Sequence, residues 1–343
     1  MATCPCSAIP WTTLGLDLLA AFGLAFYGIA VGLLFCGVDR VLVARMQSRI
    51  GPPVRQPFRD ALKLLAKQDL VPANAVSAVF RFAPVAALAA AVSLLFYLPL
   101  GGIGAPVFAG RDDAILVLYL LLVPGLAMVV GGFASGSPYA SIGAQREMVT
   151  MVSYELPLAT VILTFAWKLS LLGVEHPFSL SELAAHPVWT TSGPLGIAGA
   201  ILLLGVMLVV TPGELGRIPF DSPEAETELA GGLLVEYSGR SLALFELAMA
   251  VKTVAMCGLM VALFWPGDIS SLICWAHPVS RLADFAWFAL KSGILMFFGV
   301  SLLRAGMARL RITDIVRVYW KWLGAAALLG LALIALDAHL RLG

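Results

Sequence analysis

The densest group of ionisable side chains lies between residues 214 and 236, and its residue types suit proton uptake and release. Clustered carboxylates raise one another's pKa, so that one of them can bind or release a proton near neutral pH. We therefore interpret this acidic segment as a candidate proton entry path. Its six carboxylates are Glu214, Asp221, Glu224, Glu226, Glu228 and Glu236.

The local pattern predicts a short helix within this segment. Asp221 and Glu224 have the spacing of a capping box, Pro223 suits a first turn, and the glycines at 231–232 would end the helix. Such a helix places Asp221, Glu224 and Glu228 on one face. First-turn acids that merely complement the helix dipole would explain Glu224. They would not explain six carboxylates in a chain with only 13% charged residues.

Four more ionisable residues interrupt long apolar runs: Glu155, Glu246, Lys252 and Lys291. An unpaired charge at the bilayer centre costs about 2.5–3.5 kcal/mol, so these side chains should face the protein interior. Lys252 follows Glu246 by six positions, which predicts different faces and separate partners. Structural salt bridges and a proton or cation relay both remain open. Asp17, Lys168 and Asp337 lie near the ends of the apolar runs. We expect these side chains to snorkel, that is, to extend so that their charged groups reach the membrane–water interface.

The elements that carry these residues are membrane spans. The 343 residues are 60% hydrophobic, against about 45–50% in soluble domains, and the mean hydropathy is +0.93. Runs of about 20 apolar residues predict an all-α polytopic protein with short amphipathic cytoplasmic helices and one integral membrane domain over residues 1–343. The eight predicted spans are near 14–37, 82–102, 114–133, 148–171, 195–212, 241–265, 285–303 and 321–340.

The placement of Lys and Arg predicts the orientation. Sixteen of the 22 lie after the first, third, fifth and seventh spans, whereas the other side has only Arg111, Arg281 and Arg341. The positive-inside rule then predicts both termini outside, with the connections after the odd-numbered spans in the cytoplasm. The predicted cytoplasmic loops are about 39–81, 134–147, 213–240 and 304–320. A net charge of +1 gives no field that would attract nucleic acid.

The first of these loops contains a predicted amphipathic helix near 57–67. Helical spacing places apolar side chains on one face and basic side chains on another. The helix either lies on the membrane surface or presents a face to a soluble partner. The apolar positions are Phe58, Leu62 and Leu65, and the basic ones are Arg59, Lys63 and Lys67. The glycine-bearing segment 136–147 lacks the features of a phosphate loop and is interpreted as a tight connection between helices.

No pattern predicts a metal site or covalent catalysis in this chain. The five cysteines include no C-x-x-C pair, and the four histidines are scattered without ligand spacing. No nucleophile lies in an evident arrangement with a base. A disulfide from Cys274 to Cys4 or Cys6 stays geometrically open.

Several motifs resemble one protein family over nearly the whole chain. Residues 45–53 and 57–67, Pro219-Phe220-Asp221 and Glu236-Tyr237-Ser238 resemble the H subunit of respiratory complex I. Segments 136–147, 79–84 and 307–311 resemble the group 4 membrane-bound [NiFe] hydrogenase branch of that family, which includes formate hydrogenlyase, Ech and carbon-monoxide-linked enzymes. Lys252 stands near the place where complex I usually carries a carboxylate, which argues against a complete quinone chamber.

The resemblance implies a membrane-anchor and coupling subunit that docks the hydrogenase small and large subunits and works beside antiporter-like membrane subunits. Iron-sulfur clusters and the nickel-iron site are expected in those partners, with no cofactor in this chain. Proton or ion coupling would use the acidic segment together with Glu155, Glu246, Lys252 and Lys291. Docking would use Arg45, Arg49, Arg55, Arg59, Asp60, Lys63, Lys67 and Arg146. The alternatives are the membrane subunit of complex I that forms the quinone site and, less in keeping with the absence of an internal repeat, a stand-alone ion transporter.

Overall fold

The computed structural model describes residues 11–100, 112–269 and 277–342. Within these ranges eight helices are long and apolar enough to cross a membrane, and no strand occurs. The prediction of an all-α polytopic protein with eight spans is therefore confirmed. The spans are Ala21–Met46, Ser77–Tyr97, Ala114–Ala134, Pro138–Leu171, Pro194–Glu214, Gly239–Phe264, Leu282–Gly306 and Ile312–Leu340.

In the described part of the chain, short helical elements lie between the spans. The α-helices are α1 (Trp11–Met46), α2 (Gln56–Ala66), α3 (Ser77–Tyr97), α4 (Ala114–Ala134), α5 (Pro138–Leu171), α6 (Leu180–Ala185), α7 (Val188–Thr191), α8 (Pro194–Glu214), α9 (Glu226–Leu229), α10 (Gly239–Phe264), α11 (His277–Met296), α12 (Leu302–Gly306), α13 (Ile312–Arg317) and α14 (Gly324–Leu342). Two 3₁₀ turns flank α9, at Ser222–Glu224 and Gly232–Leu234. The seventh and eighth spans each contain a π-helical segment, Phe297–Ser301 and Val318–Leu323.

Two predicted boundaries were wrong in a way that affects the site. The fourth span begins at Pro138, ten residues before the predicted start, so that residues 135–137 alone connect α4 to α5. Proline suits a first helical turn because its missing N–H needs no partner there. The first helix likewise continues to Met46, beyond the predicted end at 37. Much of the predicted loops is therefore helical, and polar side chains in those turns point into the bundle.

The central element is α10. In an apolar stretch of 18 residues of α10, 94% is buried inside the protein, whereas the corresponding share in the other spans is 28–56%. It packs against α1, α3 and α11, and α2 crosses it at one end. A second layer is formed by α8, which packs against α14 and α5. Lys252 on α10 is therefore surrounded by protein. Glu246 on the same helix is exposed, so the prediction that it faces the protein interior was wrong.

The bundle has two ends with different character. The end that we call the basic end carries residues 47–76, 135–137, 215–238 and 307–311, which hydrogen-bond to one another or to the ends of the spans, as from Val76 N–H to Ala134 O and from Leu310 N–H to Pro219 O. The opposite end carries the described residues 98–100, 112–113, 172–193 and 265–269. These two groups lie at alternate ends of successive spans, as the span count requires.

The predicted amphipathic helix exists as α2, but its buried face differs from the prediction. Pro57 and Ala61 are buried against α1 and α10, whereas Leu62 is 68% exposed and Leu65 38% exposed. The small side chains of Pro57 and Ala61 allow the close helix approach that larger leucines would prevent. The exposed leucines lie next to Arg59 and Lys63 on a free surface.

Candidate functional site

The acidic segment does not form the single capped helix that its sequence predicts. Ala225 is extended and separates the Ser222–Glu224 turn from the four residues of α9, and Ala230 in the left-handed region ends α9. Asp221 makes no capping hydrogen bond, so the capping-box prediction was wrong. The expected common face of Asp221, Glu224 and Glu228 is therefore absent.

Asp221 instead binds Arg309 from the connection between the seventh and eighth spans. Arg309 donates from Nε to Oδ1 at 2.8 Å and from Nη2 to Oδ2 at 2.6 Å. The hydrogen bonds to Asp221 raise the pKa of Arg309. A bidentate, charge-assisted pair of this kind competes effectively with a backbone cap. The pair fixes the loop that follows α8 to the start of the eighth span.

The Ser222–Glu224 turn also packs tightly on α5. A Cβ on Gly143 would lie 2.9 Å from Pro223 O and 2.6 Å from Leu233 N, so that only glycine fits there. One turn later, Arg146 forms an ion pair with Glu228 and donates to Ser222 O at 3.4 Å. Glu228, predicted to couple, and Arg146, predicted to dock, are thus brought together.

Two of the most deeply buried charges among the described residues are Glu214 at the end of α8 and Lys252 in α10. Lys252 Nζ lies 2.8 Å from Glu214 Oε1, and both side chains are at most 1% exposed. Lys252 thus pairs with Glu214 rather than with Glu246, consistent with the six-residue spacing. The carboxylate oxygens of Glu214 have no partner of good hydrogen-bond geometry. Removal of one member of such a pair leaves an uncompensated buried charge.

Glu147 on α5 is a member of this cluster that the sequence reasoning missed. It lies within electrostatic range of Lys252, Glu224 and Glu214. With Glu224 and Lys252 it lines a cavity of about 10 Å³, which is room for about one water molecule. The sequence signal was Pro138 as a helix start, which would have placed Glu147 in a helix rather than in a loop.

A larger charged chamber lies next to this small cavity, at the basic end. It measures about 190 Å³, and its charged lining is Arg40, Asp60, Arg217, Glu224 and Glu246. Both cavities share Glu224, Gly216 and Met249, so Glu224 stands between them. Burial raises the pKa of Glu224, and the nearby Arg217 opposes this shift. A chain of ionisable groups therefore leads from Glu246 through Glu224 to Glu147 and the Glu214–Lys252 pair.

Other predicted coupling residues lie outside this chain of groups. Glu226 is exposed and Glu236 partly exposed, whereas Glu155 is partly buried near Glu214. Lys291 lies at the opposite end, where it donates to Trp265 O at 3.0 Å and to Gly267 O at 2.7 Å. It stabilises the carbonyl end of α10 and is remote from the acidic segment.

The snorkelling prediction was wrong for Lys168 and Asp337. Lys168 Nζ donates to Thr191 Oγ1 at 2.8 Å and also binds Ser192, and Asp337 accepts the Gly193 N–H at 2.8 Å. Both are at most 6% exposed. Polar partners from the α7–α8 connection hold them inside the protein. The side chain of Asp17 and the three cysteines Cys4, Cys6 and Cys274 lie outside the described residues.

Most of the predicted docking residues are available at the surface of the basic end. Two of the set are engaged internally: Arg146, which pairs with Glu228, and Asp60, which pairs with Arg40 at 3.0 Å and accepts from Gln56 at 2.8 Å. The exposed members are Arg45, Arg49, Arg55, Arg59, Lys63 and Lys67. Among the described residues, no group of three or more His, Cys, Asp or Glu side chains is placed to hold a metal ion.

The motif at 236–238 ties the connection between α2 and α3 to α10. Tyr237 stacks on Phe80 with ring centroids 4.0 Å apart and donates to Phe80 O at 3.1 Å. Ser241 donates to Asp69 at 2.9 Å. The surface that bears the docking residues is thereby held rigidly against the central helix that bears Lys252.

An eight-span bundle with buried, mutually contacting charges at one end and a basic surface beside them defines an integral membrane protein with an ionisable interior. Residues 19–335 match the family described as NADH dehydrogenase. The chain therefore belongs to this family, whose members include the membrane-embedded H subunits of NADH-quinone oxidoreductase, complex I.

Relatives come from more than one kind of complex. The chain is 34% identical over 359 aligned positions to the H subunit of NADH-quinone oxidoreductase from Geobacillus sp. (strain WCH70), with 97% of each chain covered. It is also 34% identical over 295 positions to Hydrogenase-4 component C of Escherichia coli (strain K12), covering 86% of this chain and 89% of the relative. A chain of the membrane-bound sulfane sulfur reductase, an archaeal respiratory membrane complex, has a TM-score of 0.80 and 27% identity, with 93% of this chain and 99% of that chain covered.

Proposed function

We propose that this chain is the membrane-anchor and coupling subunit of an energy-converting [NiFe] hydrogenase complex. The observation that carries the proposal is the buried Lys252–Glu214 pair at the inner end of a charged route. Sequence identity does not distinguish the hydrogenase branch from the complex I branch, since a complex I subunit and a hydrogenase component are both 34% identical to this chain. A lysine inside this cluster supports the hydrogenase branch.

The charged chamber supports the same choice. Pockets for drug-sized ligands usually measure about 300–1,000 Å³ and are mostly apolar. This chamber is smaller, at about 190 Å³, and five charged side chains line it. An apolar quinone ring would have to desolvate several of these charges. Protons or hydrated ions suit such a lining better.

In the proposed mechanism, electron transfer in a docked soluble arm changes the charge or position of the acidic segment. Glu224 would then exchange a proton between the chamber and Glu147, and the Lys252–Glu214 pair would respond to the new charge. Antiporter-like membrane subunits would complete proton or sodium translocation. Iron-sulfur clusters and the nickel-iron site would reside in the hydrogenase small and large subunits, which would dock on the exposed basic residues of the basic end. This end would face the cytoplasm of a prokaryotic inner membrane.

A tagged version of this chain, purified with its native partners, tests the proposal. We expect co-purification of hydrogenase-type subunits, nickel in the complex by elemental analysis, and hydrogen evolution. A complex without nickel that reduces quinone with NADH would overturn the hydrogenase assignment. Ion transport by the isolated chain in liposomes would overturn the coupling role.

The second candidate is the membrane subunit of complex I that forms the quinone site. It is supported by the relative from Geobacillus sp. (strain WCH70), which covers 97% of this chain. This candidate predicts inhibition of quinone reduction by compounds that bind a quinone site. It also predicts that residues lining the chamber, such as Arg217 and Glu246, alter the apparent affinity for quinone when replaced.

A further inference from the structure

A basic pocket lies at the ends of the first and seventh spans, and it shares Arg40 with the charged chamber. It measures about 240 Å³ and is lined by Arg40, Arg49 and Arg304 together with Val43, Ala44 and residues 50–52. No carboxylate is among its lining residues. Guanidinium groups match the oxygen geometry of phosphates, which they bind through paired N–H donors. Three of them around one cavity indicate a site for a phosphate group.

The backbone holds Arg49 at this pocket. After α1 ends, the Arg49 N–H donates to Ala44 O at 2.7 Å, and the chain folds back along the helix. A Cβ on Gly51 would lie 3.0 Å from Ala44 Cβ and 3.1 Å from Val41 Cα, so a larger residue would push this segment away. The pocket is therefore a formed feature of the fold rather than a chance gap between side chains.

The charges of the pocket leave capacity for an anion. Arg40 pairs with Asp60 at 3.0 Å, and Arg304 pairs with Asp39 at 2.5 Å. A guanidinium carries five N–H donors, so both retain donors for another acceptor. Arg49 contacts Gln47, and in the described part of the chain it forms no ion pair with a carboxylate. Three arginines and two carboxylates leave a net charge of +1, which matches a ligand with one negative charge.

The position of the pocket points to a lipid as the source of that phosphate. Arg40 lies within the last two turns of the first span, and Arg304 within the last turn of the seventh, which is the depth of lipid headgroups. Ile50, which lines the pocket, is 99% exposed. A headgroup in the pocket would therefore leave its acyl chains beside this apolar side chain.

We propose that this pocket binds the phosphodiester headgroup of an anionic lipid, with Arg49 as the main recognition residue. Basic pockets between membrane helices bind anionic headgroups in this way. A bound lipid would join the first and seventh spans at the basic end. The proposal holds for either type of oxidoreductase complex, because it uses only residues of this chain.

The test uses the purified complex reconstituted with equal amounts of phosphatidylglycerol and phosphatidylcholine, and native mass spectrometry counts the lipids that it retains. The wild type should retain phosphatidylglycerol selectively. Arg49→Gln should lower this retention about fivefold, since a basic residue at the surface contributes about 1 kcal/mol to anionic lipid binding. Arg49→Lys should keep most of the retention. The matched control Arg81→Gln, which removes an exposed cation outside both the pocket and the predicted docking set, should keep all of it.

Three results would overturn the proposal. Equal retention of the two lipids by the wild type would remove the lipid preference. Displacement of the lipid by excess inorganic phosphate, with phosphate retained in its place, would assign the pocket to the free ion. Loss of soluble subunits from Arg49→Gln with unchanged phosphatidylglycerol would assign this arginine to protein docking.

Discussion

The two ends of the bundle handle buried charge in different ways. At the basic end, Glu214, Lys252, Glu147 and Glu224 influence one another across several elements, and the Glu214 oxygens have no well-formed hydrogen bond. At the opposite end, hydroxyl and backbone groups hold the charge: the Ser179 hydroxyl and the Ser181 N–H both donate to Asp112 Oδ2, and only Oδ1 has no hydrogen-bond partner among the described residues. Charges held by fixed dipoles stabilise a structure, whereas charges that depend on one another can change state together.

The largest expected effect concerns Lys252→Met, which leaves Glu214 buried without its cation. We expect a loss of about 3–5 kcal/mol in the free energy of unfolding. Denaturation of the purified complex in detergent would measure it. Lys291→Met at the opposite end removes a donor from two carbonyls and should cost only about 1–3 kcal/mol. The double variant Lys252→Met with Glu214→Gln should recover most of the loss; if it does not, the two residues are not energetically coupled.

Glu147→Gln tests whether the interacting charges at the basic end carry protons. A carboxylate that relays protons contributes about 100-fold or more to the rate of proton transfer. We expect ion pumping in proteoliposomes to fall by about this factor, while electron transfer falls much less. Glu175→Gln, an exposed carboxylate at the opposite end, is the matched control and should leave both rates unchanged. Pumping that persists in Glu147→Gln would remove this residue from the route.

Asp112→Asn tests the structural role of the opposite end. Although burial disfavours the charged form, hydrogen bonds from Ser181 and Ser179 lower the pKa of Asp112. Its carboxylate therefore contributes stability above the ordinary carboxyl pKa, and this contribution is lost as the pH falls through the lowered value. At neutral pH the substitution should cost about 2 kcal/mol. A thermal denaturation series against pH would show the difference from wild type vanish in acid.

Glu224→Gln should increase the free energy of unfolding at high pH, whereas Asp112→Asn lowers it, and this effect should be the smallest of the four. Because its pKa is raised, the folded state loses stability as the pH rises from the ordinary carboxyl pKa through the raised value, where the unfolded state has already released the proton. The variant should thus be slightly more stable than wild type at high pH, by less than about 1 kcal/mol, since Glu224 is only partly buried. The same series would measure it, with Glu226→Gln as the exposed control. A variant that loses stability as the pH rises would contradict this sign.

Much of the architecture could be predicted because long apolar runs leave few alternatives to membrane spans. The start of α5 was missed because hydropathy falls near Gln145-Arg146-Glu147, although Ser137-Pro138 carried a helix-start signal. The six-residue spacing predicted that Lys252 and Glu246 have separate partners. Only the packing of α8 on α10 identifies Glu214 as the partner of Lys252. Hydropathy likewise gives no information on the hydroxyl groups near residue 191 that hold Lys168 inside the protein.

The burial of α10 has a consequence for how the chain is made. A lone helix with Glu246 and Lys252 must leave water for lipid with two charges, at a cost of about 2.5–3.5 kcal/mol for each one near the centre. Glu214 lies at the end of the preceding membrane span and can neutralise Lys252 before the helix meets lipid. We therefore expect the fifth and sixth spans to leave the translocation machinery as a pair, with the acidic segment as their hinge during synthesis.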